Sequence, residues 1–222
     1  MNTIETKRGE LVSRREQLIT HFAETARAPG EVQLSPIVND ITFTREFIDT
    51  LERIAGEAKS KPPSLMPRFV VSSYFLHDAY KRLCADENEQ FYFITGMEVE
   101  GVKVLDQIIE MEHDRRTPGG VTANHGFTHK LLIKLEQFGH RLLATFHSHP
   151  GSGANGTFPS IIDKDFQRRL ESGGHQALMA IFSRDGFIRF VRLDNNFEVE
   201  IYGQGVERHD NHIYRLTNLD QA

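Results

Sequence analysis

Apolar residues recur along this chain with two different periods. Over roughly the first 60 positions, Ile4, Leu11, Leu18 and Phe22, and then Phe47, Ile48, Leu51, Ile54 and Ala55, fall at helical spacing. Apolar residues three and four apart line one face of a helix, so two amphipathic helices are expected there. A Pro and Gly loop separates them. Lys59-Ser60-Lys61-Pro62-Pro63-Ser64 through Pro67 reads as a linker, because proline cannot continue a helix. Beyond it the pattern alternates. Phe69-Val70-Val71 predicts a short strand, Tyr74 to Leu83 a helix, and strands follow near 90–96 and 102–111. A helix is expected near 128–138, with Leu131, Leu132, Leu135 and Phe138 on one face, and then a buried strand over Leu142-Leu143-Ala144-Thr145-Phe146. Pro159 and Ser160 look like a helix start, with Ile162, Phe166 and Leu170 as its buried stripe. Three further strands are expected near 176–183, 186–193 and 197–202. In the last, Phe197, Val199 and Ile201 point in while Glu198 and Glu200 point out. Strands joined by short turns favour a mixed, largely antiparallel sheet flanked by helices. The expected organisation is an N-terminal helical extension and linker over 1–66 and an α/β domain over 67–222.

The chemistry concentrates at His147-Ser148-His149-Pro150 and, after a Gly-rich stretch, Ser160-Ile161-Ile162-Asp163. In a strand, residues i and i+2 share a face, so His147 and His149 project together. Ser148 points the other way and reads as a structural hydroxyl. Ser160 and Asp163 lie one helical turn apart. Two imidazoles at a strand end facing one carboxylate at a helix start leave a fourth tetrahedral position open. That is the arrangement of a catalytic zinc site, whereas structural zinc is closed by four protein ligands. Taken singly, a His-x-His pair or a Ser-x-x-Asp helix start is common. It is the conjunction that points to metal.

These residues resemble the signature of the JAMM metalloproteases, the MPN-plus or JAB domains: His-Ser/Thr-His-Pro, a spacer, Ser-x-x-Asp, and a Glu from an earlier strand. The spacer is three residues longer here, since the usual one would put Thr157 and Ser160 at the Ser and Asp positions. Gly151, Gly153 and Gly156 can form the looser turn, so His147, His149 and Asp163 are assigned as ligands. Glu89 precedes Gly96 by the family's offset, with Phe91, Tyr92, Phe93 and Ile94 as the strand between; Glu87 is the alternative. Tyr92 and Ile94 stand where the family pattern has Gly and Leu. The resemblance implies an α/β/α sandwich of cytidine-deaminase-like architecture and one Zn2+ per chain. Glu89 becomes the general base for a water whose pKa the zinc lowers towards about 7. Ser160 becomes a donor to the oxyanion, and a helix N-cap is its structural reading. It further implies cleavage after the C-terminal glycine of ubiquitin or a ubiquitin-like protein. The compact chain and longer spacer are more like the prokaryotic branch, whose partners would include a ubiquitin-like modifier and E1/E2-like enzymes. The alternatives are a zinc hydrolase of a precursor peptide or small amide, and a noncatalytic MPN-type interaction module.

Composition narrows the remaining classes. The 222 residues include 26 basic and 31 acidic side chains, a formal net charge of -5, which offers no basic excess for phosphates and argues against nucleic acid. No apolar run is long enough to span a bilayer, and the polar start Met1-Asn2-Thr3-Ile4-Glu5 is unlike a signal peptide, so the cytoplasm is the expected compartment. The one cysteine, Cys84, excludes an internal disulfide and the paired cysteine ligands of zinc deaminases, and is expected to be buried and inert. Glu110, Glu112, His113 and Asp114 are expected to be a strand running into a charged turn. His125 and His129 read as surface or cleft residues, and His209-Asp210-Asn211-His212 as a solvated turn.

Overall fold

The computed structural model of the protein describes residues 34–35, 41–60, 66–137 and 141–219. The first expected helix (Ile4 to Phe22), the Pro and Gly loop, the centre of the linker and Phe138 lie outside these residues, as do the side chains of Phe47 and Ile48. The chain runs through β1 (Leu34–Ser35), α1 (Ile41–Ser60), β2 (Arg68–Ser72), α2 (Ser73–Leu83), β3 (Phe91–Val99) and β4 (Val102–Ile109). A separate hairpin follows, β5 (His113–Thr117) and β6 (Gly120–Ala123), and then α3 (His125–Gln137), β7 (Ala144–Ser148) and α4 (Ile161–Ser172). The last strands are β8 (Leu178–Phe182), β9 (Phe187–Val191), β10 (Glu198–Tyr202), β11 (Val206–Asp210) and β12 (Ile213–Leu216).

The fold is mixed α/β, built on one curved ten-stranded sheet ordered β10-β2-β4-β3-β7-β8-β9-β12-β11, with β1 added to β4. Only β10–β2, β2–β4 and β7–β8 run parallel. Curvature brings the two ends together: the Tyr214 hydroxyl donates to the Val199 carbonyl at 3.3 Å, and the His212 ring stacks 4.0 Å from Phe197. Both faces of the sheet are covered. On one, Phe75, Leu76, Ala79 and Leu83 of α2 pack with Phe69, Val71, Ile94, Phe146 and Phe182. On the other, Leu131 and Leu135 of α3 and Leu170 of α4 pack with Phe93 and Ile109, while Ile54 of α1 packs with Val70 and Val104. Burying each of these large side chains stabilises the fold by about 1.5–3 kcal/mol. Through Ile54, the described part of the N-terminal extension contributes to the core. Arg68 adds bonds from the sheet to Glu57 of α1 and to Glu200 of β10, both 2.7 Å. Those pairs are partly exposed and add little beside the apolar contact. No helix among the described residues is long and apolar enough to cross a membrane.

Several expectations shift against this frame. The strand expected over 142–146 runs from Ala144 to Ser148, so it carries His147 within it. The solvated turn expected at 209–212 is a hairpin: His209 and Asp210 end β11, and only Asn211 and His212 make the turn into β12. Ile162 is not part of a buried stripe. It is 76% exposed, because α4 meets the sheet only from Phe166 and Leu170 onward, and its first turn stands out at the sheet's edge. Burial pushes the Cys84 thiol up to about 11, so it stays protonated, although the residue is half-buried rather than buried.

A bulge decides which residues face which layer. In the β3–β4 ladder Thr95 pairs with Gln107 but Gly96 with Leu105, leaving Asp106 extra in β4. Leu105 and Ile108, three apart, therefore both enter the layer under α2. Gly96 is required at this crossing, since a Cβ there would lie 1.9 Å from the Val104 carbonyl oxygen, a backbone atom that cannot step aside. Gly96→Ala is expected to cost about 3 kcal/mol, the upper range for overpacking, read as a lower urea midpoint at unchanged slope.

Candidate metal centre

The sheet and α4 bring the assigned ligands together. His147 sits near the end of β7, buried at 4% exposure, and His149 lies two residues on, past the strand end. The chain holds His149 in line because its N–H donates to the Phe182 carbonyl of β8 at 2.8 Å. Asp163 arrives from α4, which Ser160 caps. The Ser160 hydroxyl accepts the Asp163 N–H at 3.2 Å, and Asp163 Oδ2 accepts the Ser160 N–H at 2.7 Å, a reciprocal capping box. The helix cap thus aims the carboxylate at the imidazoles.

His147 Nε2 and His149 Nε2 are 3.1 Å apart, and Asp163 places Oδ1 and Oδ2 each 3.3 Å from one of them. An ion bonded tetrahedrally at about 2.05 Å has ligand atoms about 3.3 Å apart, so the three side chains already stand at the edges of such a polyhedron. Among the described residues this is the one cluster of His, Cys, Asp or Glu side chains close enough to hold a metal ion. The outer contacts agree. His149 Nδ1 faces the Gly156 carbonyl at 3.2 Å, the second bond that orients a ligating imidazole so that Nε2 turns inward. Burial pulls the His149 imidazole down, but the Asp163 carboxylate and the Glu89 charge outweigh it and leave its pKa raised. Burial pushes Asp163 up, yet hydrogen bonds from both imidazoles hold it far below the usual carboxylate range.

The longer spacer becomes a short 3-10 turn, Ala154–Thr157, pinned from several sides. Gly151 and Gly156 pass so closely that a Cβ on Gly156 would lie 2.7 Å from the Gly151 carbonyl carbon. Thr157, which a shorter spacer would have put in place of Ser160, is fully buried, donates to the Ala154 carbonyl at 2.6 Å and accepts from Arg189 at 3.1 Å. It closes the turn, while Asp163 faces the imidazoles and Ser160 caps α4 beside it.

Glu89 stands beside the cluster, near enough for its charge to be felt by His149 and for it to feel Asp163. Burial pushes its carboxyl above the ordinary value; His149 and Arg184 oppose that, and Asp163 adds to it. Its backbone is fixed, since its N–H donates to the Thr117 carbonyl of β5 at 2.9 Å and its carbonyl accepts from Arg116 at 3.2 Å. The next residue is held as well: the buried Ser148 hydroxyl accepts the Gln90 N–H at 3.0 Å, the structural use expected of it. Glu87 is exposed.

The other polar groups are not brought together. His113 faces the Phe91 carbonyl at 3.1 Å, Asp114 accepts from Asn124 at 2.7 Å, and Glu110 pairs with Arg82 at 3.3 Å. His125 and His129 are exposed along α3. Phe158, Ile161 and Ile162, at 58%, 80% and 76% exposure, form an apolar surface around the Ser160 cap, although helical spacing had predicted Ile162 as buried. Their mixture with Pro159 and Ser160 at a helix start was the available signal.

No family model matches the chain, and no curated protein matches it. Among solved structures it is similar to the solution structure of protein DSY2949 from Desulfitobacterium hafniense, at 14% identity and a TM-score of 0.44, covering 61% of this chain and 94% of that one. At that distance the likeness carries no argument about activity. Fold and site define a mixed α/β protein with a His-His-Asp group able to hold a metal ion.

Proposed function

We propose that the protein is a zinc hydrolase of the JAMM type, cutting the peptide or isopeptide bond that follows the C-terminal glycine of a ubiquitin-like protein, in a bacterial conjugation pathway. The observation that carries the reading is the convergence of His147, His149 and Asp163 with an independently positioned, half-buried carboxylate, Glu89, beside them. Two imidazoles and one carboxylate are the three-ligand set that suits a catalytic zinc, whereas a structural one takes four. Zinc held there supplies Lewis acidity, polarising the scissile carbonyl and bringing a water's pKa down towards about 7. Glu89 takes one proton from the attacking water and returns it to the leaving nitrogen. The water oxygen bonds to the carbonyl carbon, the C–N bond breaks, and a carboxylate and an amine result. Ser160, at the cap beside Asp163, is the hydroxyl available to the developing oxyanion. Its backbone N–H is spent on Asp163 Oδ2, so only the hydroxyl proton is left for that task.

The exposed Phe158, Ile161 and Ile162 beside the centre favour a protein substrate over a small amide, because a protein tail brings an apolar body to lie against such a surface. A Gly-Gly tail suits a metal lying close to backbone, since it has no side chains to exclude. The complete set of three ligands speaks against a noncatalytic module. The test is cleavage, by zinc-loaded protein, of a ubiquitin-like fusion carrying a Gly-Gly junction, beside a dipeptide amide. Cleavage of the fusion alone supports the modifier reading. Cleavage of the amide alone moves the activity to small substrates, and neither, in a chain that holds zinc, removes the proposal.

A further inference from the structure

The turn between β8 and β9 touches both halves of the candidate site, and one residue in it reaches each. Arg184 donates its backbone N–H to the Gly151 carbonyl at 3.1 Å, inside the loop that follows His149. Its guanidinium turns the other way and donates to the carbonyls of Asp86 and, at 3.1 Å, Asn88, the segment that leads into Glu89. Its own carbonyl accepts the Tyr80 hydroxyl of α2 at 2.6 Å, which anchors the turn to the core. The next residue repeats the grip on the metal side, where Asp185 accepts the Gly153 N–H at 2.8 and 2.9 Å. From these contacts we infer that Arg184 is a positioning residue that sets Glu89 at a working distance from the ion by tying the 86–89 segment to the metal loop. The inference rests on the hydrolase reading given above.

The physical case is one of geometry. The residues before Glu89 run outside any helix or strand, and exposed loop backbone without cross-ties wanders by more than a proton transfer tolerates. A guanidinium offers several N–H donors in a rigid plane and can hold the Asp86 and Asn88 carbonyls at once, which an ammonium on a flexible stem cannot. Arg116 supports the segment from the opposite side, placing Nη2 2.9 Å from both Asp86 carboxylate oxygens. Arg184 is the one of the two that also bonds to the metal loop.

The test compares the whole wild-type chain with Arg184→Met, Arg184→Lys and Glu89→Gln, each loaded with cobalt(II), whose visible bands report the surroundings of the ion. Arg184→Met is expected to keep a full equivalent of cobalt while its bands move towards those of Glu89→Gln. On a Gly-Gly fusion its kcat is expected to fall about 100-fold at unchanged KM, the scale that ångström misplacement of a catalytic group costs. Arg184→Lys should fall between, since it reaches one carbonyl of the two. Wild-type bands and kcat in Arg184→Met would overturn the inference, and so would loss of cobalt, which would make Arg184 a support of the ligands instead. If no chain cleaves the fusion, the hydrolase reading fails, while the cobalt bands still decide whether Arg184 governs where Glu89 stands.

Discussion

Glu89→Gln is expected to retain one zinc per chain and to lose hydrolysis by about a thousandfold, within the span that general acid–base catalysis contributes. The substitution keeps the shape of the side chain and all of its backbone ties, the bonds to Thr117 and Arg116 and the neighbouring clasp of Ser148 on Gln90. What it removes is the ability to accept and return a proton. Metal content beside steady-state cleavage separates the outcomes: zinc kept with kcat lost assigns the base. Full activity would show that another group carries the proton. Glu87, the other acidic candidate, is exposed, and the backbone bonds to Thr117 and Arg116 fall on Glu89 itself.

His147→Ala and Asp163→Ala are both expected to bring zinc well below one per chain and to abolish cleavage, but by different physical routes. His147 is buried at the end of a central strand, so the change empties a ligand position and leaves a small cavity. Asp163 belongs to the capping box, so its loss also frees the Ser160 N–H and weakens α4 by about 1 kcal/mol. Asp163→Asn separates the two effects, because the amide oxygen can still accept from Ser160 while the negative charge that draws the ion is gone. It should keep the melting temperature of the metal-free protein above that of Asp163→Ala, though below wild type because the pairing with the two imidazoles is lost, and still bind zinc poorly. Equal zinc in Asp163→Ala and wild type would remove Asp163 from the ligand set.

These two experiments fall on residues that the sequence singles out because each is declared locally. A strand that ends in His-x-His must put both imidazoles on one face, and Ser-x-x-Asp at a helix start brings the carboxylate back over the cap. The choice of Ser160 and Asp163 across a lengthened spacer follows the same logic; in the structure Thr157 is buried within its own turn, and Asp163 lies 3.3 Å from both imidazoles. Ile162 shows where periodicity misleads. Spacing places it in line with Phe166 and Leu170, but whether a sheet lies beneath the first turn of α4 depends on where β7 and β8 stop.

The sequence by itself determined the α/β class, the main helices and strands from Arg68 to Tyr202, and the pattern that puts His147, His149 and Asp163 within reach of one another, since each depends on side chains within a few positions; it did not reveal the β5–β6 hairpin or β11 and β12. Only the tertiary structure decided which strands are neighbours. β10 follows β9 in the chain yet pairs in parallel with β2 at the far edge, and β12 takes the place beside β9. Alternation reveals which face a residue takes but not which strand lies next to it. The bulge at Asp106, the curl that brings Tyr214 to Val199, and the reach of Arg184 from the metal loop to the segment before Glu89 are likewise contacts between residues distant in the chain. Each exists because the closed packing leaves one arrangement in which backbone bonds and apolar faces are satisfied together.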